Sequence, residues 1–250
     1  MSTSTAGGRF DRLDAWRGAA LLWMTAYHFG FDLVFLRVIA ADFHRDPFWT
    51  LQRTAILSLF LACAGAGQVQ AHQQGLAWSR FWKRWAQVAA CAALVSLGSW
   101  LVFPRSFIYM GVLHALVLLL PLARLCAGWR ARSLVWAALL LLLAHPVLRA
   151  VAQSGHWGVL FDAPAWNWLG LVGRKPITED YVPLLPWVVP LLLGMALARR
   201  LADRGVVAAA GPLSPRWHWL CWAGRHSLSW YMLHQPILLG LLGGMLLMLR

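Results

Sequence analysis

The stretch from Asp14 to Asp32, D-A-W-R-G-A-A-L-L-W-M-T-A-Y-H-F-G-F-D, is an apolar segment that is interrupted by Arg17 and His28. In a helix that turns by about 100° per residue, the eleven steps from Arg17 to His28 return to within roughly 20° of the same face. Asp14 and Asp32 fall on this face as well. At ~1.5 Å per residue, Arg17 and His28 lie roughly 16 Å apart along the axis. Because ionisable groups are costly in hydrocarbon, this ridge is predicted to face the protein interior or a wet cavity of a membrane protein.

The composition of the whole chain agrees with a membrane protein. The chain has 250 residues, of which 60% are apolar and 12% are charged, whereas a soluble domain carries about 25% charged residues. Several apolar runs reach the ~20 residues that a spanning helix needs. We therefore predict an all-α polytopic membrane protein, with one domain over residues 1–250 and a bundle of about seven transmembrane helices. The predicted spans are Trp16–Leu36, Ala55–Gln70, Trp85–Phe103, Phe107–Leu125, Leu134–Val151, Val182–Ala198 and Ser227–Leu249.

The formal charge of +13 does not indicate nucleic-acid binding, because the basic residues lie in short loops between the predicted spans. A cytoplasmic amino terminus places most of the 22 Lys and Arg on the inner side, as the positive-inside rule requires. The sequence thus predicts a multi-pass protein of the inner (plasma) membrane that contacts lipids. The four cysteines are scattered singly through apolar surroundings and are predicted to be small core residues, so we expect no metal site.

His28 and Asp32 are the predicted catalytic pair. Asp32 follows His28 by one helical turn, so its carboxylate can accept a hydrogen bond from one ring nitrogen and leave the other nitrogen basic. A general base needs this orientation. The alternative is that His28 is a buried polar group bonded to a carbonyl of a neighbouring helix.

Several basic residues are candidates for phosphate binding near the cytoplasmic face. The guanidinium of Arg17 is suited to hold a phosphate, although it can also be a membrane anchor paired with Asp14 at i, i+3. Arg80, Lys83 and Arg84 are predicted on the same side and can assist. Their alternative role is to determine the topology of the chain.

The outer loops and the later spans hold further candidates. His44 lies in a short outer loop, where it is either a second catalytic His or a solvated residue. Asp180 precedes the sixth span, where it is either a substrate-binding group or the N-cap of that helix. His114 and His234 are intramembrane and are predicted to bind substrate. Together with His28 and His145 they raise the alternative that pairs of His ligate a b-type haem.

Four sequence blocks together resemble a known family. They are D-A-W-R-G-A-A-L-L-W-M-T-A-Y-H-F, F-P-R-S-F-I-Y-M-G-V-L-H-A-L, D-Y-V-P-L-L-P-W and S-L-S-W-Y-M-L-H-Q-P. The chain resembles, from Arg12 to about Leu238, the bacterial members of the family named for the catalytic domain of heparan-alpha-glucosaminide N-acetyltransferase. The spacing from Arg17 to His28 also resembles the Arg-then-His pattern of membrane acyltransferases that O-acetylate surface polysaccharides.

The resemblance implies an integral-membrane acyltransferase that moves an acetyl group from cytoplasmic acetyl-CoA to a glycan or amino-sugar acceptor. By position, Arg17 would contact the coenzyme and His28 would be the catalytic His. In the lysosomal member of the family, the catalytic His lies in the luminal loop after the first helix and an Asn takes the place of His28. His44 is the nearest equivalent of that loop His, so both remain candidates.

Two other classes of protein use similar residues. A proton-coupled transporter or exporter would use the buried His and Asp as a proton relay without a coenzyme. A b-type haem electron carrier would need two His that face each other at a similar membrane depth. The sequence leaves the acceptor, the acyl chain and the oligomeric state open.

Overall fold

The computed structural model describes residues 11–43, 45–155, 157–206 and 213–248, and within them it contains helices and no strand. Two short 3-10 turns, Asn167–Leu169 and Pro215–Trp217, complete the regular structure. The α-helices are α1 (Asp11–Phe35), α2 (Pro47–Gln73), α3 (Trp78–Val102), α4 (Val112–Cys126), α5 (Ala131–Ala152), α6 (Trp157–Asp162), α7 (Leu184–Asp203), α8 (His218–Arg225) and α9 (Ser227–Met248).

Five helices, α2, α3, α5, α7 and α9, are long and apolar enough to cross a membrane. Helix α1 has 25 residues and is also long enough, but its ionisable ridge makes it less apolar. Helix α4 is shorter, with 15 residues. Each of these seven helices overlaps one of the seven predicted spans. The prediction of an all-α polytopic membrane protein is confirmed.

The connection between α3 and α4 is longer than the sequence predicted. Helix α3 ends before Pro104, as expected. However, the predicted helix start at Phe107 is wrong, because the chain becomes helical only at Val112. The backbone from 107 to 110 is held by partners elsewhere: Thr178 Oγ1 donates to Phe107 O at 2.9 Å, and Val182 N donates to Met110 O at 2.7 Å. Hydropathy alone does not distinguish this bonded, non-helical segment from a helix.

The described residues divide into two compact units, residues 11–43, 45–60 and 213–248 in the first, and residues 61–155 and 157–206 in the second. In the first unit, α1 packs against α8 at two glycines. A Cβ atom on Gly18 or on Gly224 would lie under 3.0 Å from the backbone oxygen of Leu220 or Asp14, respectively. Only glycine therefore permits this close approach of the two helices.

The other side of α1 contacts α9 and an aromatic cluster in the first unit. The Trp230 indole N–H donates to Thr25 Oγ1 at 2.9 Å and thereby joins α9 to α1. Tyr27 meets the Phe43 ring edge-on at 5.2 Å between centroids, and Phe43 stacks on Trp49 at 3.9 Å. These contacts fix the face of α1 that carries His28.

In the second unit, α7 packs against α2, α4 and α5. Gly65 lies where α2 meets α7, and a Cβ on it would lie under 3.0 Å from Leu191 O, so a small residue permits this close helix contact. Gly194 approaches the backbone of Ala62 as closely. The helical dihedral angles of α7 are interrupted at Leu185, the residue before Pro186.

The segment between α5 and α7 is anchored by polar contacts within the second unit. Asn167 is buried, and its amide donates to the Tyr109 hydroxyl at 2.7 Å. The Tyr181 hydroxyl donates to Asn167 O at 2.7 Å, and burial raises the pKa of this hydroxyl, which keeps it protonated. Arg149 Nε donates to Val172 O at 2.8 Å. The segment is thus a fixed part of the unit.

Candidate active site

His28 and His234 form a direct pair in the first unit. His28 lies on α1 and His234 on α9, and the atoms His28 Nδ1 and His234 Nε2 are 2.9 Å apart. The ring centroids are 4.9 Å apart. The second nitrogen of His234, Nδ1, lies 2.7 Å from Tyr231 O.

These distances determine which nitrogens carry protons when both rings are neutral. A carbonyl oxygen only accepts, so His234 Nδ1 must donate to Tyr231 O. His234 Nε2 is then the acceptor, and His28 Nδ1 donates to it. The remaining nitrogen of His28, Nε2, therefore carries a lone pair and can take a proton.

Asp32 is paired with α9 rather than with His28. The Gln235 amide Nε2 donates to Asp32 Oδ1 at 2.6 Å, and Asp32 is 1% exposed. The other oxygens of the pair, Asp32 Oδ2 and Gln235 Oε1, are buried and have no hydrogen-bond partner within the described part of the chain. The predicted hydrogen bond from His28 to Asp32 is replaced by the pair His28–His234, because α9 places its consecutive His234 and Gln235 against the ridge of α1.

Arg17 lies in an ionic cluster at the amino-terminal end of α1. Its Nη1 atom is 2.9 Å from Asp14 Oδ1, which confirms the predicted i, i+3 pair. Arg225 at the end of α8 also contacts Asp14, with Nε 3.5 Å from Oδ2, and it pairs with Asp11. The buried carboxylate of Asp14 is thus held between two guanidinium groups.

His44, the second predicted catalytic residue, lies outside the described residues. The neighbouring loop is ordered by its acidic groups: Asp42 Oδ1 accepts from Arg45 N at 3.0 Å, and Asp46 Oδ1 accepts from Phe48 N at 2.8 Å. Asp46 caps the start of α2 in this way.

His114 uses both ring nitrogens in hydrogen bonds inside the second unit. Ser96 Oγ donates its hydrogen to Ile108 O at 2.7 Å, so it accepts from His114 Nε2 at 2.9 Å. His114 Nδ1 accepts from Gly111 N at 3.3 Å. His114 also lines a pocket of about 410 Å³ with Tyr109, Met110 and Trp168 among its neighbours. The ring therefore presents no lone-pair nitrogen to that pocket.

Asp180 caps a helix, but not the one that follows it. Its Oδ2 atom accepts from Val112 N at 3.1 Å, at the amino end of α4. The N-cap of α7 is Pro183 instead. The predicted N-cap role at α7 is therefore wrong. The extended chain from 178 to 182 runs beside residues 107–110 and delivers the carboxylate to α4.

Arg80, Lys83 and Arg84 lie in the first two turns of α3, in the second unit. Arg84 Nη1 donates to Gln87 Oε1 at 3.1 Å. Exposed Trp78 and Trp82 flank them on the same helix end, which is typical of an interfacial helix terminus. Their coenzyme role stays a prediction.

The sequence did not single out Gln235 and Arg225 as partners of the α1 ridge. Gln235 follows His234 directly in S-L-S-W-Y-M-L-H-Q-P, and this position beside a candidate residue is the sequence feature that could have indicated its role. No local pattern in the sequence marks Arg225 as a partner of α1. Only the crossing of α1 with α8 brings it to Asp14.

The fold and the site define a class of protein: a helical, multi-pass membrane protein with buried ionisable groups on its first helix. The family model described as "Heparan-alpha-glucosaminide N-acetyltransferase, catalytic" matches residues 9–236. The chain belongs to this family, and the sequence resemblance is confirmed. No match was found among curated proteins or among solved structures. The family indicates a membrane acetyltransferase.

Proposed function

We propose that the protein transfers an acetyl group from cytoplasmic acetyl-CoA to a hydroxyl or amine of an envelope sugar that arrives from the outer side of the inner (plasma) membrane. The family membership supports acetyl transfer. The observation that carries the catalytic assignment is the hydrogen-bonded series from Tyr231 O through His234 to His28. It leaves a lone pair on His28 Nε2.

In this mechanism His28 Nε2 removes the proton from the acceptor hydroxyl or amine while the acceptor oxygen or nitrogen attacks the thioester carbonyl. The C–S bond then breaks, and the coenzyme leaves as a thiolate that takes up a proton. The hydrogen bond from His28 Nδ1 to His234 holds the ring and stabilises the imidazolium. Alternatively, Nε2 attacks the thioester carbonyl first and the coenzyme leaves as a thiolate that takes up a proton. The acceptor then attacks the acyl-imidazole, which releases His28.

The other predicted residues have supporting roles in this proposal. Arg17 would hold the coenzyme at the inner end of α1, and its bond to Asp14 would orient its guanidinium. Arg80, Lys83 and Arg84 remain proposed coenzyme contacts. Asp180 and His114 remain proposed near the acceptor, although their hydrogen bonds give each a structural task as well. His44 is proposed as the second candidate base in the outer loop.

The two alternative classes receive less support. His28 and His234 bond directly to each other at 2.9 Å, whereas two His that share an axial metal point their nitrogens at the metal from opposite sides. A proton relay for transport uses the same buried groups, but the family match favours acetyl transfer.

The test is incubation of the purified full-length protein with labelled acetyl-CoA and a pool of cell-envelope glycans. Wild type is compared with His28→Ala and His44→Ala, and His72→Gln serves as the control because His72 is an exposed His at the end of α2. We expect His28→Ala to lower transfer by about 10²–10⁴-fold. Full transfer by both His28→Ala and His44→Ala would reject the assignment of the base.

A further inference from the structure

A pocket of about 670 Å³ lies in the second unit, where the amino end of α5 meets the carboxyl end of α7. No residue of this pocket belongs to the candidate active site described above. Its charged lining consists of five arginines and one acid: Arg130, Arg132, Arg199, Arg200, Arg204 and Asp203.

The charges of this pocket do not balance. Asp203 is its sole carboxylate among the described residues, and it pairs with Arg199 at 3.6 Å. Five positive charges against one negative charge leave a surplus of 5 − 1 = 4. Like charges gathered in one concave surface repel each other, and a multivalent anion removes that repulsion.

The helix ends explain only part of this arrangement. Arg199 and Arg200 near the end of α7 interact favourably with the negative end of that helix dipole. Arg130 and Arg132, in contrast, stand at the positive end of the α5 dipole, which disfavours cations. Arg130 is the N-cap residue of α5, and its side chain makes no capping hydrogen bond. The amino end of this 22-residue helix, at Arg130 and Ala131, lines the pocket, and helix amino ends favour anions.

We propose that this pocket binds a ligand that carries two or more phosphate groups. Guanidinium groups bind phosphate oxygens with two parallel hydrogen bonds. Positive-inside topology requires basic residues on one side of the membrane, but it does not require five of them to line one pocket. The phosphates belong either to a soluble coenzyme or to an anionic lipid headgroup. In the first case, the inference rests on the proposed acetyl-CoA dependence.

The test measures the affinity of inorganic pyrophosphate for the full-length protein in nanodiscs by calorimetry. Two double variants are compared with wild type: Arg130→Gln/Arg132→Gln on one wall of the pocket and Arg200→Gln/Arg204→Gln on the other. If one of them fails to fold, the other still tests the pocket. Arg105→Gln/Arg174→Gln is the matched control, since both arginines are exposed, lie in the same unit and do not line the pocket. We expect each pocket variant to bind pyrophosphate at least tenfold more weakly, and the control to bind as wild type does.

Two further arms distinguish the sources of the phosphates. A parallel loss of acetyl-CoA affinity assigns the pocket to the soluble coenzyme. A loss of co-purified cardiolipin, measured by native mass spectrometry, assigns it to a lipid. Folded pocket variants that keep wild-type affinity for pyrophosphate and acetyl-CoA and keep their cardiolipin would overturn the proposal. Pyrophosphate binding needs no turnover, so it is also measured with the His28→Ala protein. Wild-type affinity in that variant shows that the pocket binds phosphate whether or not the proposed reaction takes place.

Discussion

The carboxylate of Asp32 is bound by the Gln235 amide of α9 at 2.6 Å, and both side chains keep one buried oxygen without a hydrogen-bond partner in the described ranges. This bond connects two helices across 203 residues of sequence. We expect Gln235→Ala to lower the free energy of unfolding by about 1–3 kcal/mol, because it leaves a buried carboxylate without its donor.

A double-mutant cycle checks this bond. The free energies of unfolding of Gln235→Ala, Asp32→Ala and the double variant are measured in mixed detergent micelles. The free energy of unfolding of the double variant should fall by less than the sum of the decreases in the two single variants. The reason is that the second substitution has no hydrogen bond left to break. Additive losses would mean that the bond does not stabilise the pair.

His234 is predicted to act by positioning His28. His234→Gln should keep much more activity than His234→Ala, because the Gln amide can donate to Tyr231 O while its oxygen accepts from His28 Nδ1. The measurement is kcat and KM for acetyl transfer by each variant. We expect His234→Ala to reduce kcat more than it raises KM. Equal activities of the Gln and Ala variants would argue against orientation through this hydrogen bond.

The close crossing of α1 and α8 depends on Gly224. A Cβ atom there would lie under 3.0 Å from Asp14 O, which is backbone and cannot rotate away. Gly224→Ala should therefore cost about 1–3 kcal/mol through overpacking. Gly240→Ala on α9 is the control, since no atom lies within 4 Å of its Cβ position. Thermal unfolding of the two variants provides the comparison, and a similar Tm for both would show that the helices can separate without cost.

Asp180 has a structural task that can be separated from substrate binding. Asp180→Asn keeps a side-chain oxygen that can accept from Val112 N, whereas Asp180→Ala removes it and should cost about 0.5–2 kcal/mol as a lost cap. Thermal unfolding and acetyl transfer are measured for both variants. If Asp180→Asn keeps the Tm but loses transfer, the carboxylate also serves the acceptor. If both are kept, its role is that of a cap.

The sequence predicted the positions of the long helices well because apolar length is a local property. It failed between α3 and α4, where residues 107–110 are apolar but not helical. Their hydrogen-bond partners, Thr178 and Val182, lie about 70 residues later in the chain, as the separation of 71 between Thr178 and Phe107 illustrates. The same long-range contact explains why Asp180 caps α4, whereas the sequence predicted a cap for α7.

The sequence by itself determined that this chain is a helical membrane protein and that Asp14, Arg17, His28 and Asp32 share one ridge of its first helix, because both follow from apolar length and helical periodicity. Only the tertiary structure decided how that ridge is partnered. Within the first unit, His28 bonds to His234, Asp32 to Gln235, and Asp14 to Arg225. These partners lie more than 200 residues away, and they depend on how α8 and α9 pack on α1, which no local pattern encodes.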